Sequence, residues 1–479
     1  MNKSTKKFYI SSALPYVNSV PHLGFALEIV QADVLARYHR NLGEEVFFLT
    51  GTDENGLKVA RAAEEAGVEV GKFAEQNAKK FQGLKQILNL SFDDFIRTTE
   101  ERHIKAVKKL WQLCEKDIYK KKYKGLYCVG CEQFYKKEEL VDGLCPEHKT
   151  KLELVEEENY FFKLSKYEKQ LRELIESDAI KIIPGSRKNE VIGFLNKGLE
   201  DICISRSTER ARGWGIDVPG DKTQKIWCWW DAVINYISAL GYGVNDKRFQ
   251  EWWQNNDNKL HIIGKGILVF HTLYWPAALL SAGLSLPNKL FVHGYLSIKG
   301  EKISKSLGNV IDPYGLVEQY GADAVRYFLL REISSTKDGD FTIEKFKERY
   351  NSDLAKGLGN LIARVLKLAQ EQDQELKIQN QELKTQINKT RGDHKKALDN
   401  FQFDTALKSI WELIGFCDKY IEKEKPWEDT ENKSSIINDL LLAIKEIAKL
   451  LEPFLPETSE KISEQLKTKK SEPLFPRLK

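Results

Sequence analysis

The sequence predicts an α/β protein whose parallel sheet is split by an inserted module and followed by an all-helical bundle domain. Three observations carry this. The first 60 residues run strand, turn, helix, strand; strand-like segments resume near Trp227; and long helical periods take over after about Asn351. In the first stretch, Lys7 to Ala13 is a short β-prone run and 14–24 is rich in turn formers. Residues 25–39 have helical spacing, and EVFFLT at 45–50 is a compact apolar strand. A β-α-β order implies parallel pairing, with ligand sites at the carboxyl ends of the strands. HIIGKGILVFH and NKLFVHGYL belong to the second set of strands. Between the two sets, residues near 117–226 read as an insertion with its own turns in GLYCVGC, VDGLCPEH and RGWGIDVPGDK. Beyond 351, LAKGLGNLIARVLKLA, FDTALKSIWELIGFCDKYIEK and SIINDLLLAIKEIAKLLEPFL are amphipathic helices joined by polar connections. The Gln-, Lys- and Glu-rich stretch 370–390 reads as a solvated helix or a loose connection.

Composition narrows the class further. At about 100–200 residues per domain, 479 residues predict about three or four domains. A 42% hydrophobic content excludes whole-chain disorder. Seventy-four basic against 70 acidic residues leave a net charge of +4, too little to bind a polyanion through bulk charge. In 351–479 the 22 basic and 22 acidic residues cancel, so any nucleic-acid contact there rests on placed residues. Seven cysteines, an odd number, do not make a disulfide scaffold. The basic, partly apolar start is interrupted by Ser11, Ser12, Pro15 and Asn18, which argues against a secretory signal. The uncharged stretch 266–288 carries His271, Thr272, Ser281, Ser285 and Pro276, and reads as a buried helix in preference to a membrane span. No membrane association and a cytoplasmic location are expected. The lone methionine, Met1, excludes a Met-rich adaptable binding surface.

Three motifs carry chemistry. Cys128-x-x-Cys131, thirteen residues, then Cys145-x-x-His148 has the spacing of two knuckles closing one tetrahedral Cys3His zinc site. Gly130 and Pro146 suit the tight turns that aim such ligands, and four protein ligands leave no position for water, so the metal would be structural. The alternatives are a redox pair at Cys128 and Cys131, or four unrelated residues. Cys114, Cys203, Cys228 and Cys417 lack such spacing and read as packing residues. In ALPYVNSVPHLGFAL, a helix beginning after Pro21 turns unpaired N–H groups toward the loop, which favours phosphate. There His22 offers a donor, and Gly24 removes a side chain where a flat base approaches. In GEKISKSLGN, Lys302 and Lys305 flank Ser304 in a Gly-bounded polar segment, a loop able to close over polyphosphate. A structural histidine and a solvated charged loop are the plainer readings of those last two.

Taken together, a histidine–glycine turn near the start and a lysine–serine–lysine loop after a split sheet resemble the two signatures of class I aminoacyl-tRNA synthetases. ALPYVNSVPHLG, FFLTGTDENG, NEVIGFLNKGLEDICISR, WWDAVINYI, GKGILVFHTLYWPA and HGYLSIKGEKISKSLGN are similar to the methionyl-tRNA synthetase family over essentially the whole chain. The resemblance implies a split Rossmann-like parallel sheet at 1–116 and 227–297. It places a connective domain at 117–226 with the zinc knuckle at about 126–150, a loop and stem-contact region at 298–350, and an anticodon-binding bundle at 351–479. It implies a methionine pocket of Leu14, Tyr16, Trp229, Tyr236, Ile267 and His271, with Asp53 holding the ammonium. Trp229 and Tyr236, seven apart, would share a face if their segment is helical. His22, Gly24, Lys302 and Lys305 would form the ATP site, and Asn360, Arg364 and Trp427 would read the anticodon of tRNA(Met). Implied partners are L-methionine, ATP and that tRNA. Implied ions are one structural Zn2+ and Mg2+ carried with ATP.

The chain also departs from the family. Phe25 replaces the second histidine of the first signature, Asn55 the histidine of TDEHG, and Gly266 an acidic residue, while Val233 sits at a variable position. Another class I synthetase is the same-class alternative, although the roughly 110 residues of the insertion leave little room for an editing domain. A catalytically weak tRNA-binding relative is the other, motivated by Phe25. Nothing resembling a C-terminal dimerising module follows the bundle, so a monomer is expected.

Overall fold

A computed structural model describes residues 6–302, 310–369, 378–428 and 432–478. The chain forms two compact units. The first comprises residues 1–21, 43–83 and 92–292; the second comprises 22–42, 84–91 and 293–479.

The first unit is built on a six-stranded sheet. Its strands in chain order are β1 (Lys7–Ser12), β2 (Glu45–Thr52), β3 (Asp94–Arg97), β4 (Lys181–Ile183), β5 (Lys259–Gly264) and β6 (Lys289–His293). They lie in the order β3-β2-β1-β5-β6-β4. Pairing is parallel at β1–β2, β1–β5, β2–β3 and β6–β4, with Tyr9 opposite both Phe47 and Lys259. Parallel strands covered on both faces read as continuous apolar runs, and β5 is buried along its whole length. The order reverses at β1, so the carboxyl ends of β1, β2 and β5 surround a switch point of the kind where α/β sheets bind ligands. β4 falls inside the stretch read from sequence as an insertion, yet it forms the edge of the main sheet.

The rest of that stretch combines antiparallel sheets with the helices Glu168–Glu176 and Gly185–Asn196. Ile118–Cys128 pairs with Gln133–Tyr135 and with Glu153–Phe162, and Asp221–Ile226 pairs with Asp217–Val218 and Ser205–Ser207. The uncharged 266–288 segment holds a wide helical turn, Phe270–Tyr274, that runs into the short α-helix Trp275–Ala282, with Pro276 in its first turn and left-handed Gly283 ending it. Among the described residues, no helix is long and apolar enough to cross a membrane.

In the second unit, helix α1 (Leu23–Asn41) has His39 and Arg40 in its last turn, where cations favour the helix dipole. Its far half is fixed by Arg326, whose fully buried guanidinium donates to the carbonyls of Leu88, Pro453 and Phe454 and lies 2.8 Å from Asp33. Among the described residues the α-helices after 351 are Asn360–Leu368, Gln381–Asp399, Phe403–Glu424, Lys433–Leu451 and Pro456–Thr468, an all-helical region as the periodicity predicts. Within the polar 370–390 stretch, 381–390 is helical as part of Gln381–Asp399 and 378–380 leads into it without helix; residues 370–377 lie outside the described residues.

Candidate active site and metal centre

The four predicted metal ligands come together. Cys128 ends one strand of a hairpin, and the ligand atoms of Cys128, Cys131, Cys145 and His148 all lie within 4.8 Å of one another. His148 Nδ1 is 3.2 Å from Cys131 Sγ and 3.9 Å from Cys145 Sγ, while the two sulfurs are 3.5 Å apart. A Cβ on Gly130 would stand 2.7 Å from the His148 ring, so glycine is what lets the knuckle close. The Tyr135 hydroxyl donates to Cys131 Sγ at 3.1 Å and the His148 N–H to Cys145 Sγ. A hydrogen bond from Cys131 draws the Cys128 thiol well down against the opposing cost of burial, which favours a thiolate. Three sulfurs and one imidazole around one point can hold a soft metal ion. The other four cysteines are buried and unbridged, as packing residues should be.

Around the switch point the predicted pocket residues also assemble. Leu14 and Tyr16 follow β1, Asp53 follows β2, and Ile267 and His271 follow β5. The loops after β1 and β2 are tied by backbone bonds, Asp53 N–H to the Pro15 carbonyl at 2.9 Å and Val17 N–H to the Asp53 carbonyl at 3.1 Å. Tyr16 meets Trp229 edge to face at 5.9 Å, and Trp229 stacks on Phe270 at 3.9 Å. The Tyr236 hydroxyl lies 2.7 Å from His271 Nε2, and His271 Nδ1 lies 2.9 Å from the Ile267 carbonyl. A carbonyl only accepts, so Nδ1 carries the proton and Nε2 accepts from Tyr236. Burial lowers His271 to about 4, which keeps the ring neutral. The Trp229–Tyr236 segment is two short helices, Cys228–Ala232 and Asn235–Ser238, and not one continuous helix. In consequence Tyr236 is buried while Trp229 keeps a partly exposed face.

Asp53 is 2% exposed and has no ion-pair partner among the described residues. Burial, then the nearby Asp231 charge, raises its carboxyl well above the usual range. Asp231 is raised likewise by burial, and accepts from Asn55 Nδ2 at 3.1 Å. Asn55 thus has a defined job at the position where it departs from the family. The neighbouring Glu54 is neutralised by Arg97 in a two-pronged pair at 2.7 and 2.9 Å. The result is a deep site in which two buried carboxyls, Asp53 and Asp231, stand beside aromatic rings, and Asp53 faces no cation among the described residues. Asp231 was not singled out from sequence, although it stands in the WWDAVINYI motif; nothing in the string says it faces Asp53.

His22 caps α1. Its Nδ1 accepts the Gly24 N–H at 3.1 Å, which leaves the proton on Nε2, and burial lowers its pKa so that the ring is neutral. Phe25 is buried. Lys302 ends the short strand Glu301–Lys302 opposite Leu296–Ile298; its side chain and all of Lys305 lie outside the described residues. In the bundle, Asn360 opens its helix exposed, and Arg364, one turn on, pairs with Glu422 at 2.6 Å. Trp427 follows the Phe403–Glu424 helix with 49% of its surface exposed.

The family described as "tRNA synthetases class I (M)" matches residues 8–153 and 148–366, and "Anticodon-binding domain of tRNA ligase" matches 380–476. The methionine–tRNA ligase of Thermotoga maritima is 42% identical over 474 residues, covering 95% of this chain and 74% of that protein. The corresponding ligase of Brucella suis is 40% identical, covering 96% of this chain and 91% of its own. Mycobacterium tuberculosis methionyl-tRNA synthetase, solved in complex with methionyl-adenylate, superposes with a TM-score of 0.90 at 38% identity over 96% of this chain and 94% of its own.

Proposed function

The chain belongs to the methionyl-tRNA synthetase family of class I tRNA synthetases, and from that premise we propose that it acts as a methionine–tRNA ligase. It activates L-methionine with ATP, giving methionyl-adenylate and pyrophosphate, then transfers the methionyl group to the 3′-terminal adenosine of tRNA(Met). The observation that carries the substrate reading is Asp53, a buried carboxyl without a cationic partner among the described residues, beside Tyr16, Trp229 and the neutral Tyr236–His271 pair. An ammonium supplies the missing charge, and an unbranched thioether suits an aromatic and aliphatic cavity with Leu14 and Ile267.

On the nucleotide side, His22 donates from Nε2 to phosphate, Gly24 leaves room for the base, and Lys302 and Lys305 stabilise charge on the leaving pyrophosphate. Catalysis is alignment plus charge stabilisation, with the methionine carboxylate attacking the α-phosphate and no side-chain nucleophile. Asn360 and Arg364 hydrogen-bond anticodon bases and Trp427 stacks on one; its exposure supports that role. Zn2+ on Cys128, Cys131, Cys145 and His148 fixes the knuckle and does no chemistry, and Mg2+ accompanies ATP. The domain limits read from the resemblance, a monomeric state, checked by sedimentation, and a cytoplasmic location are proposed with this reading, with Lys181–Ile183 assigned to the main sheet.

Methionine-dependent exchange of pyrophosphate into ATP tests the assignment. Exchange driven by leucine or cysteine, or none at all, refutes it.

A further inference from the structure

Glu132 combines features that oppose one another. It follows the ligand Cys131 directly, with φ at 58°, a left-handed conformation that glycine adopts more readily than glutamate. It is also 2% exposed, where a carboxylate is costly unless hydrogen-bonded. A side chain retained at such a position must be held by its contacts. Oε1 accepts the Lys58 N–H at 2.7 Å, and Oε2 accepts the Tyr127 hydroxyl. Lys58 is the second residue of helix α2 (Leu57–Glu65), whose N-cap, Gly56, has no side chain to cap with. Glu132 is therefore that helix's cap, delivered from the knuckle. A Cβ on Gly56 would stand 3.0 Å from Glu132 Oε1, so the glycine makes room for it.

The backbone of the same two residues reaches the other wall of the amino-acid site. The Cys131 carbonyl accepts the Trp229 indole N–H at 3.2 Å, and the Glu132 carbonyl accepts that of Trp227. One dipeptide of the knuckle thus holds both the turn after Asp53 and the ring that faces Tyr16.

We propose that Glu132 is a positioning residue that locks the metal knuckle to the amino-acid pocket, so that amino-acid binding and metal retention are coupled. This rests on reading the pocket as the methionine site. Coupling is reciprocal: if an ordered knuckle favours methionine, methionine must favour retention of the metal, commonly by about 5- to 150-fold.

The test uses the zinc-loaded full chain and its Glu132→Gln, Glu132→Ala and Glu132→Gly variants. The last relieves the backbone conformation, so it guards against simple misfolding. Exchange assays give KM for methionine and for ATP, and a chromogenic chelator reports zinc release with and without saturating methionine. We expect methionine to slow zinc release from the unmodified chain about fivefold or more. Glu132→Ala and Glu132→Gly should raise the methionine KM about tenfold or more, leave the ATP KM within about twofold and lose the protection. Glu132→Gln, which still accepts from Lys58, should fall between. Equal protection in all variants, an unchanged methionine KM, or a parallel rise in both KM values overturns the proposal while leaving the pocket assignment intact. No methionine-dependent exchange in the unmodified chain overturns both.

Discussion

Asp53 and Asp231 show at the residue scale how binding and stability pull apart. Both carboxyls sit buried, with raised pKa values, and among the described residues no cation stands beside Asp53. A raised folded-state pKa means that the folded chain holds the proton more tightly than the unfolded one. Stability is therefore gained as pH falls through the folded value and is withheld at neutral pH. Binding runs the other way, because only the charged carboxylate pairs with an ammonium. Asp53→Asn should raise the methionine KM by about a hundredfold or more, the loss of one partner from a desolvated charge pair. It should also raise Tm at neutral pH by about 2–4 °C, with the gain shrinking in acid. For the unmodified enzyme, methionine KM should climb with falling pH from above the ordinary carboxylate range near about 4. An Asp53→Asn protein with unaltered methionine KM would exclude Asp53 from the ammonium site. This arrangement was only half legible in the sequence. The carboxylate's identity came through family likeness, but its isolation depends on Arg97 pairing with Glu54 and Asn55 with Asp231, contacts between segments far apart in the chain.

Helices were the most legible elements, and their ends the least. Apolar periods located α1, Phe403–Glu424 and Lys433–Leu451 to within a few residues, since a helix buries a stripe whose spacing is written locally, whereas Pro456–Thr468 and the polar Gln381–Asp399 did not stand out. The break between Cys228–Ala232 and Asn235–Ser238 left no such mark, because tertiary packing imposes it. The cap of α1 joins an element to the proposed chemistry: His22 uses Nδ1 on Gly24, which leaves Nε2–H for the proposed phosphate contact. His22→Asn, a good cap, should keep Tm within about 2 °C yet lower the exchange rate tenfold or more, whereas His22→Ala should lose cap and rate together. If His22→Asn exchanges at the original rate, the histidine is only a cap. In the bundle, Trp427→Ala should cut aminoacylation about 10- to 100-fold, the value of one stacked base, and leave exchange within about twofold. Equal losses in both assays would make Trp427 a folding residue instead.

For the whole molecule, elemental analysis should find one zinc per chain. Chelation should then loosen residues near 126–150 while the six-stranded sheet persists, read as proteolysis confined to the knuckle. Cleavage spread across the chain on chelation would mean that the metal supports the entire first unit. The sheet's split character was legible from two sets of strand-like segments, but β4 at its edge was not, since Lys181–Ile183 is too short to stand out. That split has a consequence for how the protein is made. Tyr9 waits for Lys259, 250 residues later, to complete the pairing of β1. At about 5–20 residues per second, the emerging chain carries an open strand edge for roughly 12–50 s on the ribosome. Nascent chains stalled before residue 259 should therefore be the species most dependent on chaperones, and the insertion between the two half-sheets must pass through the exit tunnel while that edge is still uncovered.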